Sequence, residues 1–305
     1  KGLKVLELAR ILAGPWIGQT LADLGADVIK VESPNGDDTR QWGPPFIEKG
    51  NDRSAAYFHS CNRGKKSITA DFSNIEDLER VKALAADADV LVENFKLGGL
   101  EKFGLDYKSL KEINPKLIYC SVTGFGQDGP YAARPGYDLL IQGMSGIMDI
   151  TGSPDGPPQK MGVAFVDIFT GLYSTIAIQA ALAMRERTGE GQHIDMSLFD
   201  SMVGVLANQN MNYLTTGDTP KRMGNAHPNL TPYQTFEASD GHIIIASGND
   251  AQYQRLCGAL SLGDLATDQR FLDNAARVKN RDALTALLEG ATKQKTRAQL
   301  LDEIK

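Results

Sequence analysis

"LKVLELARILAGPWIGQTLADLGADVIKVE", from Leu3 to Glu32, is the stretch whose reading sets the fold class. Leu3 to Ala9 is mostly apolar, as a buried strand requires. "GPWIGQTLADLGA" then has helical spacing, with Pro15 in its first turn and Gly25 as its stop. Asp27 to Glu32 reads as a second strand. Strand, helix and strand within about thirty residues are the signature of a parallel βαβ unit.

The same alternation continues outward. "KKSITADF" (65–72) reads as a strand, and "SNIEDLERVKALAADA" (73–88) as a helix capped by Ser73 or Asn74. "DVLVENF" (89–95) and "KLIYCSVTGFG" (116–126) read as further strands. The first ~130 residues therefore describe a doubly wound α/β domain. Residues 137–146 have helical character. "QHIDMSLFDSMVGVLANQNMNYLTTG" (192–217) predicts a short strand and then one long helix. "TFEASDGHIIIASGN" (235–249) predicts a hairpin turning at Asp240–Gly241, with mostly helical sequence after it. This change of texture divides the chain into a large domain, 1–220, and a smaller one, 221–305.

Bulk composition bounds the function. The 305 residues are 42% hydrophobic and 23% charged, ordinary values for a soluble globular chain. A net charge of -6 gives no reason to expect a nucleic-acid or anionic-membrane partner. Cys61, Cys120 and Cys257 are too dispersed for a metal site and fit a reducing compartment. The four histidines are equally scattered, so no metal is expected. No apolar run nears the ~18 residues of a membrane span without small or polar interruptions, and no signal peptide is visible.

"MGVAFVDIFTGLYSTIAIQAALAM" (161–184) holds one formal charge, Asp167. A buried, unpaired carboxylate is costly. One reading makes Asp167 the N-cap of a helix beginning at Ile168. The other makes it a carboxylate kept ionised by the helix N-terminus and able to act as a nucleophile. Position alone does not separate them. "TGFGQDGP" (123–130) is a literal GxGxxG after a strand, but Pro130 and Pro135 leave no helix start at its third glycine. That argues against a dinucleotide site. Arg40 and "RGKKS" (63–67) are either solvated loop charges or a phosphate grip, with Trp42 able to cover a ring.

These segments together resemble the class III coenzyme A-transferases. The resemblance rests on Gly2–Arg40, "NRGKKSI", "DVLVENF", "LIYCSVTGFGQDGPYAARPGYD", "GVAFVDIFTGLYSTIAIQAAL", "RTGEGQHIDMSLFDS" and "GNAHPNLTPYQTFEASDGHI", in that order. The members that move CoA between dicarboxylates such as succinate and glutarate look closest, through "DDTRQWGPPF" and "GNAHPNLTPYQ". The resemblance implies a Rossmann-like large domain with a smaller α+β domain and two chains interlocked as a homodimer. It implies that Asp167 is the nucleophile, passing CoA from donor to acceptor acid through an acyl anhydride and an aspartyl-CoA thioester.

It further implies that Ala13, Gly14, Arg40, Asn94, Phe95, Lys102 and Tyr137 line the CoA or acyl pocket, with Arg40 and Lys102 on phosphates. The "RMGNAHPN" loop (222–229) would cover the site. Acyl-CoA and a carboxylic acid are then substrates, no cofactor is tightly bound, and the location is cytoplasmic (mitochondrial matrix in a eukaryote). Leu12, where formyl-transferring members carry Gln, and "AHPNL" (226–230), where they carry a run of glycines, argue against formate and oxalate. Tyr137, where racemases carry His, argues against an acyl-CoA racemase on the same scaffold. A non-catalytic CoA-binding module is the remaining alternative. Family members run on beyond this length, so the segment that returns to the large domain is expected to lie outside these residues.

Overall fold

A computed structural model describes residues 2–50 and 52–304. The chain forms two compact units, residues 1–147 with 160–210 and residues 148–159 with 211–305. The division falls at 210/211, where sequence texture put it at 220/221, and the Gly- and Pro-rich excursion 148–159 belongs to the second unit.

The first unit opens with β1 (Lys4–Glu7), α1 (Ala13–Asp23) and β2 (Asp27–Glu32), the predicted βαβ unit. Next come a hairpin, β3 (Phe46–Lys49) and β4 (Asp52–Ala55), and the short helix α2 (Ala56–Ser60). These three elements are short, and their sequence has no clean period-2 or helical repeat to mark them. β5 (Lys66–Thr69), α3 (Ile75–Ala86), β6 (Val90–Glu93), α4 (Tyr107–Ile113) and β7 (Ile118–Thr123) follow. Asn74 caps α3, its side chain accepting from the N–H groups of Glu76 and Asp77. Then come α5 (Asp138–Ser145), α6 (Phe165–Thr188), β8 (Gln192–Ser197) and α7 (Leu198–Val205); α8 (Ala207–Thr216) runs through the 210/211 division. The single long helix expected after β8 is two helices, because Ala207 takes φ 45° and breaks the ladder.

Six strands pair in the order β5-β2-β1-β6-β7-β8, all parallel. Alternating residues serve opposite faces of this sheet. Val5, Val90, Val92, Ile118 and Cys120 pack with Ile17 and Leu21 of α1 and with Val166, Ile178 and Ala181 of α6. Leu6, Leu91 and Tyr119 face the other way, onto Val81 and Ala85 of α3 and Leu110 of α4. By length and composition α6 could cross a membrane; in this unit it packs on the sheet as a core helix. Chain order runs outward in both directions from the β1/β6 pair. That pair is a topological switch point, where open α/β sheets form a crevice at the carboxyl ends of their strands.

The second unit contains the predicted hairpin, β9 (Tyr233–Ala238) and β10 (Gly241–Ala246), in antiparallel register. Helices α9 (Asp250–Ala259), α10 (Asn274–Lys279), α11 (Arg281–Thr292) and α12 (Arg297–Glu303) complete it. Phe236, Ile243, Ile245, Leu256, Leu284 and Leu288 form its separate core.

Candidate active site

A cavity of about 390 Å3 opens at the switch point of the first unit. Its walls are the segments after three strands: Arg10–Ala13 after β1, Asn94–Leu97 after β6, and Val122–Gly124 at the end of β7. Residues 132–138, Asp167 and Leu198 close it. Of the residues expected at the site, Ala13, Asn94, Phe95, Tyr137 and Asp167 line this cavity. Gly14 lies beside it, where an added Cβ would come within 2.3 Å of the Ala9 Cβ and 3.8 Å of the Asn94 Cγ.

Arg40 and Lys102 do not line it. Arg40 is bound by both oxygens of Glu32, at 2.7 Å each, and stacks over the Phe58 ring. Burial opposes the Glu32 charge, but the bonds from Arg40 and Ser67 hold its carboxyl down at about 2. Lys102 lies over the Phe103 ring, 4.6 Å from its centroid. The 222–229 loop belongs to the second unit.

Asp167 is not the helix N-cap. Helix α6 begins at Phe165, so Asp167 stands in its first turn, and the capping residue Ala164 supplies no side-chain bond. The cap comes from a distant segment. Asp138 Oδ1 accepts from Val166 N at 2.9 Å and Asp167 N at 3.4 Å, while its Oδ2 accepts from Gln142 Nε2 at 2.6 Å. The Asp167 side chain is left to the cavity, 9% exposed. Burial first, and the nearby Asp138 carboxylate second, push its carboxyl up to about 7. Its negative field reaches Tyr57, whose phenol is pushed up to about 12 by burial and then by Asp167. Sequence reading missed Asp138 and Tyr57. Asp138 stands beside Tyr137 in "RPGYD", but no local pattern reports a cap supplied to a helix 27 residues away.

The β1–α1 segment is held as firmly. Arg10 N donates to Asn94 Oδ1 at 2.9 Å and Asn94 Nδ2 returns a bond to Arg10 O at 2.6 Å. Ile11 sits at φ 73°, a left-handed conformation that costs a β-branched residue about 1–3 kcal/mol. Helix α1 has no side-chain cap, and among the described residues the N–H groups of Leu12, Ala13 and Gly14 meet no acceptor in the chain. A carboxylate poised in a cavity, with open helix-end N–H groups on residues of the same wall, suits acyl transfer. Among the described residues no cluster of His, Cys, Asp and Glu could hold a metal.

The third glycine of the GxGxxG has φ +83° and no helix follows until Asp138, so the loop lacks a dinucleotide fingerprint. A second polar pocket of about 220 Å3 shares the Phe95–Leu97 wall. It contains Glu93, pushed up to about 7 chiefly by burial.

The family model described as CoA-transferase family III matches residues 1–305. A succinate–glutarate CoA-transferase from Agrobacterium fabrum is 57% identical over 98% of this chain and 76% of its own length. An acetyl-CoA:oxalate CoA-transferase from Acetobacter aceti is 44% identical over 99% of this chain and 77% of its own. The crystal structure of a CAIB/BAIF family protein from Brucella suis superposes with a TM-score of 0.86. It is 70% identical and covers all of this chain and 80% of the other.

Proposed function

Because the chain belongs to CoA-transferase family III, we propose that it moves CoA from an acyl-CoA, succinyl-CoA in the first instance, to a dicarboxylic acid. One observation carries this reading: Asp167 is a buried carboxylate with no hydrogen-bond partner among the described residues, set on the wall of a cavity at the switch point of the sheet. Glutarate is the first acceptor to test, since it appears with succinate in the name of the Agrobacterium relative. The oxalate in the name of the Acetobacter relative keeps that acid in the panel, although Leu12 argued against it.

The chemistry follows from the carboxylate. Asp167 attacks the thioester carbonyl of the donor, and CoA leaves as thiolate, giving a mixed anhydride between Asp167 and the donor acyl group. The thiolate attacks the aspartyl carbonyl, so the donor acid departs and an aspartyl-CoA thioester remains. The acceptor carboxylate repeats the two steps in reverse, forming its own anhydride and then its CoA thioester, and Asp167 is regenerated. Every intermediate is an activated acyl species, so no step falls into a deep well. The open N–H groups of Leu12, Ala13 and Gly14 are the candidates to receive the tetrahedral oxyanions. Lining residues Asn94, Phe95 and Tyr137 bound the CoA and acyl groups on this reading. Arg40 and Lys102, outside the cavity, would reach a phosphate only at its periphery.

The reading extends to a homodimer. Leu172, Tyr173 and Ile176 on α6 are 39%, 42% and 64% exposed, an apolar face suited to a second copy.

The test is incubation with succinyl-CoA and a panel of acids including glutarate, oxalate, mesaconate and acetate, with new acyl-CoA species read by mass. Wild type should form one new thioester. Asp167→Asn should lose on the order of 10^3-fold or more in kcat. No new thioester from any acid, with deuterium entering C2 of a branched acyl-CoA, would replace transfer by racemisation. CoA binding without turnover in either form would leave a binding module.

A further inference from the structure

Four charged side chains lie beneath the β1–α1 wall with 0–2% of their side-chain area exposed: Glu7, Lys30, Asp37 and Lys65. Lys30 Nζ is 2.9 Å from Asp37 Oδ2, and it donates to Glu7 Oε1 at 3.1 Å and to Ala9 O at 2.7 Å. Lys65 Nζ donates to Glu7 Oε1 at 3.0 Å and to Pro15 O at 2.8 Å. Asp37 in turn accepts from Ile11 N, at 3.4 and 3.3 Å for its two oxygens. Thr39 Oγ1 and Thr39 N orient the Asp37 carboxylate at 2.7 and 3.0 Å, and Glu32 Oε2 accepts from Asp37 N at 2.8 Å.

Buried ion pairs are poor sources of stability, because desolvation offsets the attraction. This one is specific in what it holds. Ala9 O, Ile11 N and Pro15 O bracket the turn that enters α1, and each is bound by a member of the cluster. Between them stands Ile11 at φ 73°, a conformation a free isoleucine leaves. The same turn carries Leu12 and Ala13 on the cavity wall. The charges thus lie behind the wall, outside the lining set.

We propose that Asp37, seated by Lys30, is a positioning residue for the transfer reaction: it holds Ile11 in the left-handed conformation and so fixes the α1 N-terminus against the cavity. The proposal rests on the CoA-transfer reading. It requires that the demand for Asp37 disappear when residue 11 adopts the conformation unaided. Glycine does so without strain.

The experiment is a cycle of Asp37→Asn, Ile11→Gly and the double variant, in the succinyl-CoA assay with the best acceptor. Thermal unfolding and KM for succinyl-CoA are measured alongside. Asp37→Asn should lower kcat 10- to 100-fold with KM within about threefold. The double variant should regain at least fivefold of that loss, though it is no more stable than Asp37→Asn. A group that only supports folding would change the melting temperature without this rescue. Thr39→Val removes only the hydroxyl that orients Asp37. It is the milder variant should Asp37→Asn fail to fold, with a drop of about threefold rescued by the same glycine. Unchanged kcat in the Asp37 or Thr39 variant, or a double variant no faster than its parent, overturns the proposal. An inactive wild type would instead indict the transfer reading itself.

Discussion

At the scale of a residue, Asp167 is the point on which the proposed chemistry turns. Its carboxyl sits near 7 because burial and Asp138 both penalise the charge. On the proposed mechanism the attacking group is ionised Asp167, so kcat/KM should rise with pH along a limb with its midpoint near 7 in the free enzyme. Asp138→Asn keeps the oxygen that caps α6 but removes the neighbouring charge, so this midpoint should move down. A pH–rate profile of the two proteins checks both statements.

The same shift has a cost in stability. A carboxyl titrating near 7 when folded and near ~3.9 when unfolded binds more protons in the folded chain between those values. Stability therefore falls as pH rises across that window. Asp167→Asn should match wild type at pH 4 and exceed it above pH 7, by on the order of a few kcal/mol. Glu93, also raised to about 7, imposes the same slope on both proteins and cancels in the difference. Denaturant titrations at the two pH values read the result.

At the scale of an element, α6 delivers Asp167 through its packing on α1. Gly171 lies one turn after Asp167 and on the same helix face. A Cβ there would stand 3.0 Å from the Trp16 Cβ and 3.1 Å from Ala13 O, so the two helices meet over a bare backbone. Gly171→Leu must separate them, at a cost of about 1–3 kcal/mol. It should displace Asp167 from the wall that Ala13 forms, so activity is lost in protein that still unfolds cooperatively. Thermal unfolding and the succinyl-CoA assay on one preparation test this. The cap of α3 is simpler: Asn74→Ala should cost about 1 kcal/mol and leave kcat unchanged, since α3 packs on the opposite face of the sheet.

Elements were legible where local chemistry decides them. The Asn74 cap, the Gly25 stop and the Asp240–Gly241 turn are short-range signals, and the structure has all three. The break between α7 and α8 was not legible, because Ala207 has no intrinsic preference for φ 45°. The β3–β4 hairpin escaped too, since neither short strand alternates cleanly between apolar and polar residues.

At the scale of the whole molecule, the cavity joins segments from residue 10 to residue 198. If the covalent route holds, acid-quenched wild type caught with succinyl-CoA should carry one CoA as a thioester, lost on hydroxylamine treatment and mapped to the Asp167 peptide. Light scattering at two concentrations should return twice the monomer mass for the proposed pair. Ile176→Glu should shift it towards one copy.

The sequence alone determined the parallel βαβ architecture, because a strand buried on both faces and a helix with one apolar side must be written into residue order. It also singled out Asp167, since one charge in a long apolar run is visible without coordinates. Tertiary structure alone decided what that charge experiences. Asp138 caps its helix from another segment, and Asp37, paired with Lys30, accepts from the N–H of a left-handed Ile11 on the cavity wall. Arg40 is turned to Glu32 and away from the cavity. Desolvation and ion pairing act through distance in space, and spacing along the chain carries no record of that distance.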